Sequence, residues 1–157
     1  MASEIIISGE NEFENEMKRN ILRMDTAARN IVQKGGLVIE RKAKEGFIPR
    51  PSGSKRVVKN GPNKGRIYYA GAPKYPANPP KPTQRTGNLR NSTRFQGIKQ
   101  MGIGRWMSQT GPTVQYAPFV EYGTSHAREF PYMRTAVKDS NEEINSIAQE
   151  EWRLAQE

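Results

Sequence analysis

Few residues in this chain are placed to do chemistry. The single histidine, His126, stands three positions before Glu129 in the run His-Ala-Arg-Glu. On a helix that spacing puts both side chains on one face, as a pair of metal ligands, but a structural zinc site takes four ligands and a catalytic one about three protein groups. There is no cysteine to complete such a set, and disulfides and thiol catalysis are excluded with it. The carboxylate pairs Glu142-Glu143 and Glu150-Glu151 fall on a charged helical stretch, where water is their expected partner. The segment TGNLRNS, 86–92, has hydroxyls without a neighbouring base, and GIGRW, 102–106, holds two glycines without the third of a dinucleotide fingerprint. No phosphate-cradling GxxxxGK[ST] run occurs. The expectation is a protein that is not an enzyme, with no catalytic residue, cofactor or metal.

The charged residues point instead to binding. The net charge is +9, but residues 1–40 carry −2, residues 41–105 carry +15 and residues 106–157 carry −4. Within the basic middle stand Arg50, Lys55, Arg56, Lys59, Lys64, Arg66, Lys74, Lys81 and Arg85. Such asymmetry suits a polyanion such as DNA, or an acidic protein surface, and equally a solvated basic loop. Tyr68, Tyr69 and Tyr75 are interleaved with these cations. They would stack on bases or anchor the segment on a protein surface. A ribonucleoprotein aromatic signature, a KH loop and a paired zinc finger are all absent.

The elements that must position these residues are legible in outline. Residues 10–45 read as one helix: Phe13, Met17, Ile21, Met24, Ala28, Ile31, Gly35 and Val38 recur at steps of three and four. Glutamates crowd its start and Arg41, Lys42 and Lys44 its end, both favourable to the helix dipole. Gly35-Gly36 is its weak point, where the helix either kinks or meets a close neighbour. Residues 47–86 are rich in Pro and Gly and read as a long basic arm, with a small hairpin turning at Asn60-Gly61-Pro62-Asn63. Residues 87–115 read as an antiparallel sheet of about three strands, and residues 131–156 as a second long helix opened by Pro131. The fold class is α+β: a small antiparallel sheet covered by a long N-terminal and a long C-terminal helix, with all 157 residues in one domain. The apolar fraction, 34%, lies below the roughly 45–50% usual in globular chains. The core is therefore thin, and self-association is expected to supply part of the stability. The N-terminus lacks the pattern of a signal peptide, and no apolar run reaches the roughly 18 residues of a membrane span. A soluble protein made inside a cell is expected.

The densest stretch is YAPFVEYGTSHAREFPYMRTAV, 116–137. It closely resembles a motif of small neck and tail-component proteins of long-tailed phages. In that family Tyr-Ala-x-x-Val-Glu-aromatic-Gly-Thr, here Tyr116 to Thr124, precedes Pro-aromatic-Met/Leu-Arg-x-Ala, here Pro131 to Ala136, and a terminal helix. A second element upstream, Thr-Gly-x-Leu-Arg-x-Ser, is matched by Thr86 to Ser92. The resemblance runs from about residue 10 to the end, and departs at Thr135, where the family often has Pro. It implies a structural virion protein of head–tail joining, tail-completion or tail-terminator type. Such a protein forms a homo-oligomeric ring, often of six copies, between head connector and tail tube. The implied location is the virion, at the neck or the head-proximal end of the tail, after synthesis in the host cytoplasm. The implied partners are neighbouring neck and tail-tube proteins and the DNA passing through the channel, with no membrane. The rival reading is a nonspecific nucleic-acid-binding protein acting through the basic arm.

Within that motif, Tyr116, Phe119 and Val120 are expected to turn a short segment inward against the sheet. Glu121 is expected to cap a backbone end or pair with Arg128 or Arg134. Tyr122 joins the aromatics holding the corner, and Gly123 supplies a positive φ for a sharp reversal. Thr124 or Ser125 serves as a local cap, and Phe130, Pro131 and Tyr132 seat the last helix.

Overall fold

The computed structural model describes residues 10–48, 54–70, 81–82 and 87–157. The element order is α1 (Glu10–Glu45), β1 (Ser54–Val57), β2 (Ile67–Ala70), α2 (Asn88–Ser92), β3 (Arg94–Gly102), β4 (Arg105–Gly111), α3 (Ala117–Tyr122) and α4 (Tyr132–Gln156). This is the expected α+β arrangement: two long helices and a small antiparallel sheet.

α4 runs antiparallel to α1. Tyr132 lies beside Gly46, Ile144 beside Gly35, and Glu151 bonds Asn30 and Lys34. The β3–β4 hairpin lies along α1 as well. At its tip, Gly104 N–H and Trp106 Nε1–H donate to Asp25 Oδ1 at 2.7 and 3.0 Å. Nearer its base, Thr110 Oγ1 donates to Gly36 O at 3.1 Å, and Phe95 N–H donates to Glu40. The register pairs Phe95 with Thr110, Ile98 with Ser108 and Gln100 with Trp106. A bulge between Phe95 and Ile98 keeps both half-buried on the α1 side, although they are three apart.

The Gly35-Gly36 pair marks the close-neighbour alternative. The helix runs through it unbroken. A Cβ built on Gly36 would sit 2.6 Å from the Phe95 ring, so only glycine lets β3 approach this near. At Gly35 the nearest side chain, Ile144, stands at 3.7 Å, ordinary contact distance.

The core centres on Ala43, Phe47, Tyr132 and Ala136, with Leu89, Val120 and Met133 packed against it. Phe47 and Tyr132 meet with ring centroids 4.9 Å apart and planes tilted by 54°. Among the described residues, four of the seven buried hydrophobics are alanines. Alanine buries little apolar area, so the hydrophobic contribution of this core is small. Tyr132 is buried at 4% exposure, and burial pushes its hydroxyl up to about 12. Thr93 lies close enough to ease that shift but makes no hydrogen bond with it.

Two expectations are corrected. The region 87–115 holds two strands. Its start, Asn88–Ser92, is the single-turn helix α2, in which Ser92 and Thr93 hydroxyls both donate to Leu89 O. These local bonds compete with a strand ladder. The run Pro112 to Tyr116 forms turns leading into α3, where Pro112 has no N–H to give a ladder. Finally, the α1 stripe divides. Gly35 and Val38 are buried, but Phe13, Met17, Ile21 and Met24 are 48–64% exposed. α1 spans about 54 Å at 1.5 Å per residue. Neither the end of α4 nor the β3–β4 tip reaches below about Asp25, so residues 10–24 form a spur.

Candidate functional site

The corner around α3 is built by one carboxylate. Glu121, 6% exposed, accepts from Met133 N–H at 2.9 Å and from Arg134 N–H at 3.0 Å. Those are N–H groups of the first turn of α4, which have no partner inside their own helix. An anion there is also favoured by the helix dipole. Arg134 completes the cap: its Nε–H donates to Glu121 Oε1 at 3.2 Å and its NH2 to Glu121 O at 3.0 Å, while Glu129 holds the same guanidinium at 2.7 Å. Both roles foreseen for Glu121 are present together, with Arg134 as the ion partner.

Gly123 has φ +74° and ψ −175°, a region open essentially to glycine alone. The chain then doubles back. Thr124 N–H donates to Ala127 O at 2.8 Å, and Thr124 Oγ1 accepts from His126 and Ala127 N–H. Phe130 N–H closes the loop on Val120 O at 2.8 Å. His126 is exposed, and its side chain takes no part in this turn. Among the described residues no group of three His, Asp or Glu side chains is placed to hold a metal ion.

The aromatics of the corner differ from expectation. Val120 turns inward, but Tyr116, Phe119 and Tyr122 are 43%, 61% and 68% exposed. α3 has only six residues and uses Ala117, Val120 and Glu121 for its inner face. Phe119 and Tyr122 therefore project outward, with the Arg134 guanidinium stacked 5.1 Å from the Tyr122 ring. Two open grooves flank α3. One, of about 750 Å³, runs between Phe47, Leu89, Phe119, Val120 and Phe130, with Arg90 and Arg128 among its lining residues. The other, of about 590 Å³, lies between Pro112, Val114, Tyr122, Met133 and Val137. Sequence reasoning missed both, and it missed Arg90 and Leu89 as groove residues. Their signal was present, as Leu-Arg in the TGNLRNS element.

The expected basic contacts are only partly gathered. Arg56, Lys59, Lys64 and Arg66 are exposed on the β1–β2 hairpin. β1 and β2 pair from Ser54↔Ala70 to Val57↔Ile67, and the loop between them holds Asn60–Asn63 as foreseen, though its bonded turns run from Gly61 to Lys64 and from Asn63 to Arg66. Lys55 lies on β1 opposite Tyr69. Lys81 is exposed elsewhere, beside the start of α4. Arg50, Lys74 and Arg85, with Tyr75, lie outside the described residues. Within the 47–86 segment, Phe47 and Pro82 belong to the body: both are buried, and Ile48 N–H donates to Pro82 O at 3.0 Å.

No helix among the described residues is long and apolar enough to cross a membrane. Compared with protein-family models, with curated proteins and with solved structures, the chain matches none.

Proposed function

We propose that this chain is a structural protein of the neck of a long-tailed phage virion. In this reading its copies form a ring, of tail-completion or tail-terminator type, that joins the head connector to the tail tube. The observation that carries the reading is the corner around α3. The two halves of the motif that resembles phage neck proteins, Tyr116 to Thr124 and Pro131 to Ala136, meet at Glu121, whose carboxylate caps the first turn of α4 and holds Arg134. The motif residues thus have a mutual structural role, and the corner presents Phe119 and Tyr122 outward. Outward aromatics beside apolar grooves suit contact with neighbouring subunits.

Electron cryo-microscopy of intact virions tests this. The expected result is a ring between capsid and tail into which the chain fits. If neck and tail density lack the chain, the proposal fails.

A second reading is favoured by the β1–β2 hairpin, on which Arg56, Lys59, Lys64 and Arg66 are all exposed. There the chain binds nucleic acid without reading sequence. Each phosphate neutralised by a Lys or Arg releases counterions, so affinity would fall steeply with salt, with a log–log slope near −0.9 per contact. A titration of the isolated protein with duplex DNA from low to physiological salt measures that slope, and a flat response would remove this reading.

A further inference from the structure

Among the described residues, two of the apolar surfaces without a partner lie at opposite ends of α1. The spur, residues 10–24, carries Phe13, Met17, Ile21 and Met24 on one stripe, each about half exposed or more. The 750 Å³ groove beside α3 starts at Phe47, just past the other end of α1. About 30 residues of helix separate Met17 from Phe47, or roughly 45 Å. A spur so far away on a continuous helix cannot fill its own groove.

The two surfaces match in form and charge. The spur is a convex helix and the groove is concave, floored by Phe47, Leu89 and Val120. Glu14 and Glu16 flank the start of the spur stripe, and residues 10–17 contain no basic residue; Lys18, Arg19 and Arg23 stand on the second half of the spur. The groove lining contains Arg90 and Arg128 and no carboxylate. Arg90 gives its Nε–H to the neutral carbonyl of Lys44, which leaves its charge to act on an incoming acid. An amphipathic helix laid in an apolar groove with opposite charges at the rim is a recurrent recognition mode.

We propose that the α1 spur of one copy docks in the α3 groove of a second copy, with its stripe on the groove floor and its glutamates toward Arg90. The partner is thus this same chain. The two contact surfaces differ, so each copy keeps one of each after the first contact and growth continues until the assembly closes. Closure into a neck ring rests on the proposed function. The contact itself rests on the two surfaces.

The absence of native cysteine makes cross-linking a clean test. Met17→Cys protein is mixed with a size-tagged Phe119→Cys protein and oxidised. The expected product is the mixed disulfide. Leu22→Cys, turned about 140° around the helix from Met17, should give none with the same partner. In parallel, Ile21→Glu should weaken self-association at least about tenfold by sedimentation, with an unchanged circular-dichroism melt of the monomer. Arg90→Glu should do the same, and Glu16→Arg in the same chain should restore assembly. Lack of the mixed product, or a wild-type protein that stays monomeric at about 100 µM, would overturn the proposal and assign the groove to a different partner. If the mixed disulfide forms but the assembly closes at two copies, the contact stands and the neck-ring reading falls. A ring in virions without this cross-link would mean the reverse.

Discussion

Gly35 and Gly36 are adjacent in one helix, yet the structure assigns them opposite roles. In an exposed helix interior either Gly→Ala change would add up to about 1 kcal/mol of stability. At Gly35 the new methyl meets Ile144 at 3.7 Å, which the site accommodates, so Gly35→Ala should be neutral or stabilising. At Gly36 the methyl would lie 2.6 Å from a Phe95 ring that is itself fixed by the Phe95–Thr110 register. Overpacking of this kind costs about 1–3 kcal/mol, so Gly36→Ala should lower the melting temperature despite its helix propensity. Thermal melts of the two variants decide the point, and equal behaviour would show that β3 does not seat on α1 as described. Gly123 is a second such position. There the backbone at φ +74° and a clash at 2.8 Å with Ala127 O and Glu129 N act together. Gly123→Val should cost about 3 kcal/mol or more, and an unchanged melt would rule out the sharp reversal. The positive φ was readable from Gly-Thr after an aromatic run. The outward turn of Phe119 and Tyr122 was not, because an apolar residue facing a partner has the same sequence signature as one facing the core.

At the scale of elements, carboxylates tie α1 to both of its neighbours, Glu151 to α4 and Glu40 to β3. Glu151 accepts from Asn30 and Lys34, and Glu40 accepts from Lys44 and from Phe95 N–H. Lys34 first, then Asn30, holds the Glu151 carboxyl below its ordinary value of 4.5, and Lys44 does the same for Glu40, with Phe95 N–H second. Depressed carboxylates bind fewer protons in the folded state than in the unfolded one. Their contribution is therefore complete above pH 4.5 and is lost as the pH falls through the lowered folded values. Denaturant titrations from pH 7 down to pH 3 should show stability falling on the acid side. Glu151→Gln should be less stable at pH 7 and should lose less on acidification. An acid limb equally steep in the variant would show that Glu151 is not part of the linkage. The two helices were legible because their periodicity is sustained over many turns. α2 was not, since a single turn gives one apolar contact, Leu89, and no period to read. Thr93 after it favours a strand by composition, yet it bonds backward to Leu89 O, as does Ser92, the last residue of α2.

The whole molecule is a small body with a long helix protruding from it. Fifteen residues of isolated helix are close to the limit at which helices hold in water, and the spur carries four glutamates within its first seven positions. Glu14 and Lys18 form an exposed i,i+4 pair at 3.1 Å, worth only about 0.3–0.5 kcal/mol. Continuity with the packed half of α1 nucleates the spur but does not bury it. Its backbone amides should thus report assembly directly. In the assembled wild type, amides of residues 12–22 should exchange slowly with deuterium, because the stripe is covered. In Ile21→Glu protein under the same conditions they should exchange within the fastest class, while amides of residues 27–45, packed on α4 and β3–β4, remain protected. Fast exchange of the spur in both proteins would mean that assembly, if it occurs, uses another surface. Slow exchange in both would mean that the spur is stable without a partner. The difference between the two proteins, and its confinement to residues before Asp25, is what the exposed stripe predicts. The charge distribution fits the same layout: the acidic start of α1 lies at one end and the basic middle of the chain supplies the groove's arginine Arg90 and the hairpin's cations at the other positions of the sequence. A copy that meets its own kind end to surface brings the glutamates at the start of the spur toward Arg90 of the groove.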